Sequence, residues 1–323
     1  MNEKIGLRQR RVWQMAAISA VAACCLCKIS WPWVLVGSVI AAGYQRLLEK
    51  NIPEEGLAKG AVVAWGGFGK FVLLVTWGWT IYMMGWAAQL ADRAFQVSNG
   101  TQILGLTVLT LTAWGSWKGI AVCARCCGVL SLFLLCLYGV ILAFAVPEIR
   151  VKNLYPTGNW SDSAEALALL FVASGGWYGP FEKKRRERAW GLLLLPLITV
   201  GVSVVTAGVL SPALTDLRKD PFYDVTKSIS LFGVMERVEP LLSAAITMGV
   251  FALLTTMAAA CQSIGAEFKQ SRWYGSGSCA IAALLLMLQN YKWGEIRIFG
   301  AILIWMIVPM LIIMGNRRKG DNP

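Results

Sequence analysis

The residues of this chain that could bind a small solute lie inside an apolar segment. The stretch Ala166–Arg188 reads ALALLFVASGGWYGPFEKKRRER. It begins with the pattern of an apolar helix, continues through Ser174-Gly175-Gly176 and ends in a cluster of basic residues. Glycine weakens a helix and lets backbone approach a ligand. A helix that opens at mid-membrane exposes backbone N–H and C=O groups to a solute. We therefore predict that Ser174, Gly175 and Gly176 bind one, with close helix packing through small residues as the alternative.

Three other apolar segments contribute candidates for the same site. They are Ala22, Ala23 and Cys24 in the first, Trp79 and Tyr82 in the third, and Thr247 and Thr255 in the eighth. The small residues mark where the first helix would unwind, although packing is the favoured interpretation there. Aromatic rings can wall a small ligand, or belong to an ordinary helix core. Threonine hydroxyls can meet a solute or an ion, or bond back to their own helix.

The residue content argues against catalysis and metal binding. It has no histidine, which removes Ser-His and Cys-His catalysis. Cys123 and Cys126 have a CxxC spacing, but they lie in an apolar segment without a second ligand pair, so we expect no metal site. No phosphate-binding loop and no nucleic-acid motif is present. We expect a protein that is not an enzyme, with no cofactor and no nucleic-acid partner.

The composition is that of a polytopic membrane protein. Of 323 residues, 57% are hydrophobic and 15% are charged, which is too few for the charged shell of a soluble domain. The net charge of +12 comes from lysine and arginine in short loops between apolar runs. That placement suits contact with the anionic lipids of a bilayer.

Ten apolar segments are long enough to be candidate transmembrane helices. They are Val12–Ile29, Trp31–Leu48, Lys70–Ala91, Gln102–Trp117, Gly119–Val146, Ala164–Pro180, Ala189–Leu210, Val238–Ile264, Ser276–Tyr291 and Ile298–Met314. We predict an all-α protein of about ten spans in a single transmembrane domain over residues 1–323. Its five-helix halves are residues 1–146 and 164–314, and its outer loops are residues 147–163 and 211–237.

The distribution of basic residues predicts the orientation. With both termini in the cytoplasm, the inner segments hold about twice as many lysines and arginines as the outer ones, and Lys183–Arg188 is the densest block. Because each half has an odd number of spans, the second half is inverted relative to the first. This is the inverted-repeat transporter plan, in which the first helix of each half is broken at mid-membrane.

Three stretches resemble one known family when they are taken in order. Trp117–Arg125 (WKGIAVCAR) resembles a "kGiE…aR" signature, and Asn153–Gly158 (NLYPTG) resembles the "nL-P…G" loop that follows it. Asp220–Glu239 resembles a "yPf…r-isi…leRiE" run. Together they are similar to the spore germination permease family, the B-type subunits of nutrient germinant receptors, over about residues 60–315. The matching positions are Gly119, Arg125, Pro156, Pro221, Arg237 and Glu239, which the resemblance implies are structural or coupling residues.

The resemblance implies a LeuT-like ten-helix core of the amino acid–polyamine–organocation superfamily. It also implies a subunit that senses an amino acid or similar small nutrient, acting with A-type and C-type subunits in the inner membrane of a spore or bacterial cell. Two alternatives remain. One is a secondary transporter of amino acids or amines coupled to H⁺ or Na⁺, and the other is a membrane scaffold that transports nothing.

Overall fold

The structure is a computed structural model of the chain. It describes residues 7–27, 30–53, 55–94, 102–154, 160–182, 190–211, 214, 222, 224–225, 239–269, 273–288 and 294–320.

Helices occupy all ten predicted segments. They are α1 (Gln9–Leu26), α2 (Trp31–Asn51), α3 (Gly56–Trp65), α4 (Gly67–Ala94), α5 (Ile103–Lys118), α6 (Ile120–Ala145), α7 (Trp160–Val172), α8 (Trp190–Val209), α9 (Glu239–Ala266), α10 (Trp273–Met287), α11 (Gly294–Ile302) and α12 (Val308–Gly320). Short 3₁₀ segments cover Val146–Glu148, Val151–Leu154 and Ala173–Tyr178, and a π-helical turn over Leu303–Ile307 joins α11 to α12. The short helix α3 was not predicted. Of the predicted loops, residues 211–237 lie mostly outside the described residues.

The lengths and hydropathy of the helices make this an integral membrane protein. Four described helical stretches are long and apolar enough to cross a bilayer by themselves: Gly67–Asp92, Ala121–Glu148, Ser243–Ala266 and Ile298–Arg317. The full count of about ten crossings stays a prediction.

Three helices form the centre of the bundle. α1 is buried from Met15 to Cys27, α7 from Ala166 to Val172, and α9 from Ala252 to Cys261. By contrast, α2, α4, α6, α10 and α12 each expose large apolar side chains along one face. A helix that is apolar all round is buried, and one with an apolar outer face meets lipid when the protein is in a membrane. The first and sixth predicted spans are therefore both central.

The packing of the two halves follows one pattern. Each span of the predicted first half has a counterpart five spans later in the second. Where two spans are in contact, their two counterparts are in most cases also in contact. The helices of spans 1 and 6, 2 and 7, 3 and 8, and 4 and 9 pack together. Span 1 packs on span 7 as span 6 packs on span 2, and span 3 packs on span 9 as span 8 packs on span 4. The pairing agrees with the predicted five-plus-five repeat, which stays a prediction.

Hydrogen bonds gather three connections at one end of the bundle. The backbone N–H of Ser30, between α1 and α2, donates to Ser163 Oγ at 2.7 Å, close to the start of α7. The backbone N–H of Arg150 donates to the Gly208 carbonyl at 3.0 Å, at the end of α8. The connections after spans 1, 5 and 7 therefore lie on the same side, as an alternating ten-span chain requires.

The opposite end contains the start of α1, the end of α2 and the chain that follows the sixth span. A parallel two-residue strand pair joins β1 (Leu7–Arg8) to β2 (Phe181–Glu182), so the start of α1 meets the chain that follows the sixth span. Arg317 of α12 donates a hydrogen bond to Asn51 at the end of α2. The strand pair is the one departure, within the described residues, from the expected all-α fold.

Candidate functional site

The sixth predicted span changes its helical form at the predicted place. α7 ends at Val172, and Ala173–Tyr178 continue as a 3₁₀ helix until the chain becomes extended at Gly179. A 3₁₀ helix bonds each N–H three residues back instead of four, so this segment is narrower and longer than α-helix. The glycine pair and the following Pro180 explain why regular helix is not maintained here. The helix is tightened rather than unwound.

Gly175 and Gly176 permit close contact with two central helices. A Cβ atom at Gly175 would lie 2.9 Å from the Thr256 carbonyl oxygen of α9 and 3.3 Å from the Trp305 ring. A Cβ atom at Gly176 would lie 2.9 Å from a methyl carbon of Val12 on α1. The glycines therefore lie in tight helix packing in this structure. Ser174 is part of the 3₁₀ segment.

The first and eighth spans also place their candidates in helix packing. α1 is a continuous helix through Ala22, Ala23 and Cys24, all of them fully buried. A Cβ atom at Gly249 of α9 would lie 2.9 Å from that of Ala22, so the two helices touch there. The hydroxyl groups of Thr247 and Thr255 donate to carbonyls of their own helix, those of Ser243 and Phe251, at 2.8 and 2.6 Å.

Trp79 and Tyr82 lie together on α4, away from the α1–α9 interface. Their ring centroids are 5.4 Å apart on α4, and the Trp79 indole packs directly over Gly300 of α11. The predicted site residues are thus divided among the α1–α9 interface, the α4–α11 interface and the surroundings of the 3₁₀ segment.

A polar and aromatic cluster that the sequence reading missed lies beside the 3₁₀ segment. We call it the break cluster, and its members are Tyr44, Gln45, Trp177, Tyr178 and Trp305. The Trp177 indole N–H donates to Gln45 Oε1 at 2.8 Å, which ties the 3₁₀ segment to α2. The rings of Tyr178 and Trp305 meet edge to face, with centroids 5.4 Å apart. The cluster therefore connects the second, sixth and tenth spans.

The π-helical turn has a cause that can be read from the sequence. Pro309 has no backbone N–H, so it cannot donate to the carbonyl of Trp305 four residues earlier. The hydroxyl of Tyr44 donates to that carbonyl instead, at 2.9 Å, and lies 3.3 Å from the Met306 carbonyl. Val308 N–H reaches the Leu303 carbonyl five residues back, which closes the π turn. The sequence signal for an irregular helix was Pro309, which lies inside the tenth predicted span. The π turn that it causes was not predicted.

Three side chains of the break cluster carry donors for which the described part of the chain supplies no partner. Gln45 Nε2, Tyr178 Oη and Trp305 Nε1 have no hydrogen-bond partner among the described residues. Their residues are at most 1% exposed. A buried polar group without a partner costs free energy, and such groups often mark a place where a ligand or water binds.

The residues taken from the family resemblance are only partly described. Gly119 lies between α5 and α6 with φ of 111° and ψ of 148°, a conformation available almost only to glycine. Arg125 is exposed on α6 and its Nε donates to the Ala121 carbonyl at 3.2 Å. Glu239 begins α9. Pro156, Pro221 and Arg237 lie outside the described residues.

A half-open cavity lies elsewhere, between α1, α6 and α8. Its walls are mostly apolar, with Gln14, Ser131 and Tyr138 as polar members. All nine cysteines are free thiols, and the described part of the chain holds no group of three metal-type side chains.

No protein family and no curated protein matches the sequence. One similar solved structure is Mhp1, a nucleobase-cation-symport-1 family transporter in a closed conformation with bromovinylhydantoin bound. It has 12% identity and a TM-score of 0.48, over 97% of this chain and 80% of that one. Another is a Na⁺-coupled sialic acid symporter in a substrate-bound outward-open state, with 13% identity and a TM-score of 0.46, over 94% and 76%. Both are ion-coupled transporters.

Proposed function

We propose that the protein is a secondary transporter that binds a small solute beside the sixth span. The observation that carries the proposal is the change from α-helix to 3₁₀ helix at Ala173, in a span packed against α1 and α9 at the centre of the bundle. A non-α segment is tolerated at membrane depth where it is buried in protein or lines a cavity. The exchange pattern of the two halves supports a five-plus-five inverted repeat, the plan on which many transporters are built.

The proposed mechanism is a movement of the 3₁₀ segment between two packed states. In this structure Gly175 packs against Thr256, and Gly176 packs against Val12. Opening these contacts would expose backbone N–H and C=O groups to a solute, and a solute that binds the open state better would favour it. Coupling to H⁺ or Na⁺ would drive net uptake and belongs to the same proposal.

Uptake by purified protein in liposomes tests this function. Accumulation of a radiolabelled amino acid, amine or pyrimidine base should depend on a Na⁺ or H⁺ gradient. Gly175→Leu should remove uptake, because its side chain would meet the Thr256 carbonyl and the Trp305 ring. Gly78→Leu is the matched control, since nothing lies within 4 Å of a Cβ at that exposed position of α4. Equal uptake by both variants would contradict the proposed site.

A second candidate is a B-type germinant receptor subunit, favoured by the ordered motifs at residues 117–125, 153–158 and 220–239. In this role the same solute site senses a nutrient, and A-type and C-type partner subunits detect the change of state. The Gly119 conformation is compatible with a structural turn at the first motif. Neighbouring genes for A-type and C-type subunits, together with no uptake in liposomes, would favour the receptor over the transporter. A scaffold without solute binding would show no response to any solute in either assay.

A further inference from the structure

We propose that Gln45, Tyr178 and Trp305 bind the carbonyl oxygens of an uncharged, planar solute such as a pyrimidine or purine base. The inference rests on the proposed solute-binding function and names the class of solute. It differs from the expected amino acid or amine, because the chemistry of the break cluster suits neither.

Each unpartnered group of the cluster can donate a hydrogen bond. Trp305 Nε1 can only donate, and Tyr178 Oη brings an O–H. The orientation of the Gln45 amide is set by Trp177, whose indole N–H requires an oxygen acceptor, so Nε2 is the end left over. Three buried donors without partners favour a ligand rich in acceptor oxygens.

None of the five side chains in the cluster is ionisable near neutral pH. The nearest acidic side chain along α2 is Glu49, one turn after Gln45, and it forms an ion pair with Arg46. An amino acid or a diamine would bring formal charge into a buried cluster whose own five side chains offer no opposite charge. Burying an unpaired charge costs far more than burying a neutral carbonyl compound.

The aromatic rings favour a flat solute. Tyr178 and Trp305 meet at an interplanar angle of 76°, and Tyr44 meets Phe171 at 72°, with centroids 6.0 Å apart. These rings line the same junction of the second, sixth and tenth spans as the donors. Ring faces and edges add binding energy for planar partners beyond the area they bury.

Two of the three donors sit on segments that are not regular α-helix. Tyr178 belongs to the 3₁₀ segment and Trp305 to the π turn. A change from either form to α-helix rotates the side chains it carries relative to the neighbouring helices. The cluster can therefore open and close around a solute as the sixth span moves, which joins this inference to the proposed mechanism.

Thermal unfolding of the full chain in lipid nanodiscs tests the inference with three probes: uracil, L-alanine and putrescine. Uracil should raise the unfolding temperature in a concentration-dependent way, because it stabilises the native state by mass action. Tyr178→Phe and Trp305→Phe each remove one donor and keep a ring. Each should weaken uracil binding roughly 2- to 12-fold, the loss expected for one neutral hydrogen bond. Trp114→Phe, at an exposed position of α5, is the matched control and should bind as wild type.

Tyr178→Phe gives a second readout without any solute. It keeps the ring, so removing the unpartnered buried hydroxyl should leave the unfolding temperature unchanged or raise it, whereas loss of a purely structural hydrogen bond should lower it. Trp305→Phe is not used for this readout, because it also removes buried ring volume, which lowers stability by itself. Stabilisation by L-alanine or putrescine but not by uracil would overturn this inference and leave the solute-binding function standing. Uracil binding that neither substitution weakens would place the solute elsewhere. No binding of any probe would overturn the inference, and uptake in liposomes would decide the proposed function separately.

Discussion

The hydroxyl of Tyr44 donates to the backbone carbonyl of Trp305 at 2.9 Å, across the interface between α2 and the π turn. This is the carbonyl that Pro309 leaves without its helical donor. A side chain of the second span thus completes the backbone hydrogen bonding of the tenth. The two helices are held in register at the junction where the 3₁₀ segment of the sixth span also packs.

We expect Tyr44→Phe to lower the free energy of unfolding by about 1 to 2 kcal/mol, the range for a buried hydrogen bond between membrane helices. The substitution removes only the hydroxyl and leaves the Trp305 carbonyl without that donor. Thermal or denaturant unfolding of the purified protein would measure the loss.

The matched control for Tyr44→Phe is the double variant with Pro309→Ala, which restores a backbone N–H to the same carbonyl. Pro309→Ala should recover more stability in the Tyr44→Phe background than in the wild type, because the two changes act on one acceptor. Strictly additive effects would mean that Tyr44 and Pro309 are not coupled through Trp305.

Gly56 should tolerate no side chain. It begins α3 with φ of 90°, and a Cβ atom there would lie 2.6 Å from the Tyr178 carbonyl oxygen and nearer still to that of Gly179. Gly56→Ala should therefore lower the free energy of unfolding by about 2 kcal/mol or more, or displace the end of the 3₁₀ segment. Gly43→Ala on α2, with nothing within 4 Å of its Cβ, should be neutral or slightly stabilising in the same unfolding assay.

Apolar periodicity and helix breakers predicted much of this fold. All ten predicted spans contain helix, and the helical form of the sixth changes beside its predicted glycines. The predicted first span, Val12–Ile29, is displaced by three residues from α1, because the helix begins among the basic residues before the apolar run. Such a shift is invisible to a hydropathy window, since arginine is a good helix former.

The break cluster could not be predicted in the same way. Gln45, Trp177 and Trp305 are far apart in the chain, and only tertiary packing brings them together. Gln45 looks like an ordinary polar residue near a helix end, where exposure is the usual state. The proline at 309 is visible in the sequence, but the π turn also depends on the hydroxyl of Tyr44, which lies on α2 and donates in place of the missing N–H. A residue on another helix therefore decides the local structure around Pro309.

Substitution of Gly119 should destabilise the protein because of its backbone conformation. Nothing lies within 4 Å of a Cβ atom at this position, so space is not the constraint. Its φ of 111° and ψ of 148° lie where a side chain is strained. Gly119→Ala should cost about 1 to 3 kcal/mol of unfolding free energy or shift the angle between α5 and α6. Gly139→Ala, at an open position within α6, should have no such cost, and equal effects would contradict the assignment of strain to the turn.

Reporter fusions should show which end of the bundle faces the cytoplasm. Leu154 lies near the end that contains Ser163 and Gly208, whereas Glu182 lies at the end that contains Leu7 and the last helix. The excess of basic residues on the second end predicts that it is cytoplasmic. Alkaline phosphatase fused after Leu154 should therefore be active, and a fluorescent protein fused after Pro323 or Glu182 should fluoresce.

The fusions after Leu154 and Glu182 are the informative pair, because only the sixth span separates them. Opposite signals show that this span crosses the bilayer in spite of its 3₁₀ segment, and the sign shows the direction. Identical signals at both positions would mean that the segment from Trp160 to Tyr178 enters the protein without crossing the membrane. In that case the sixth span could not open alternately to the two sides of the membrane, and the proposed transport mechanism would fail.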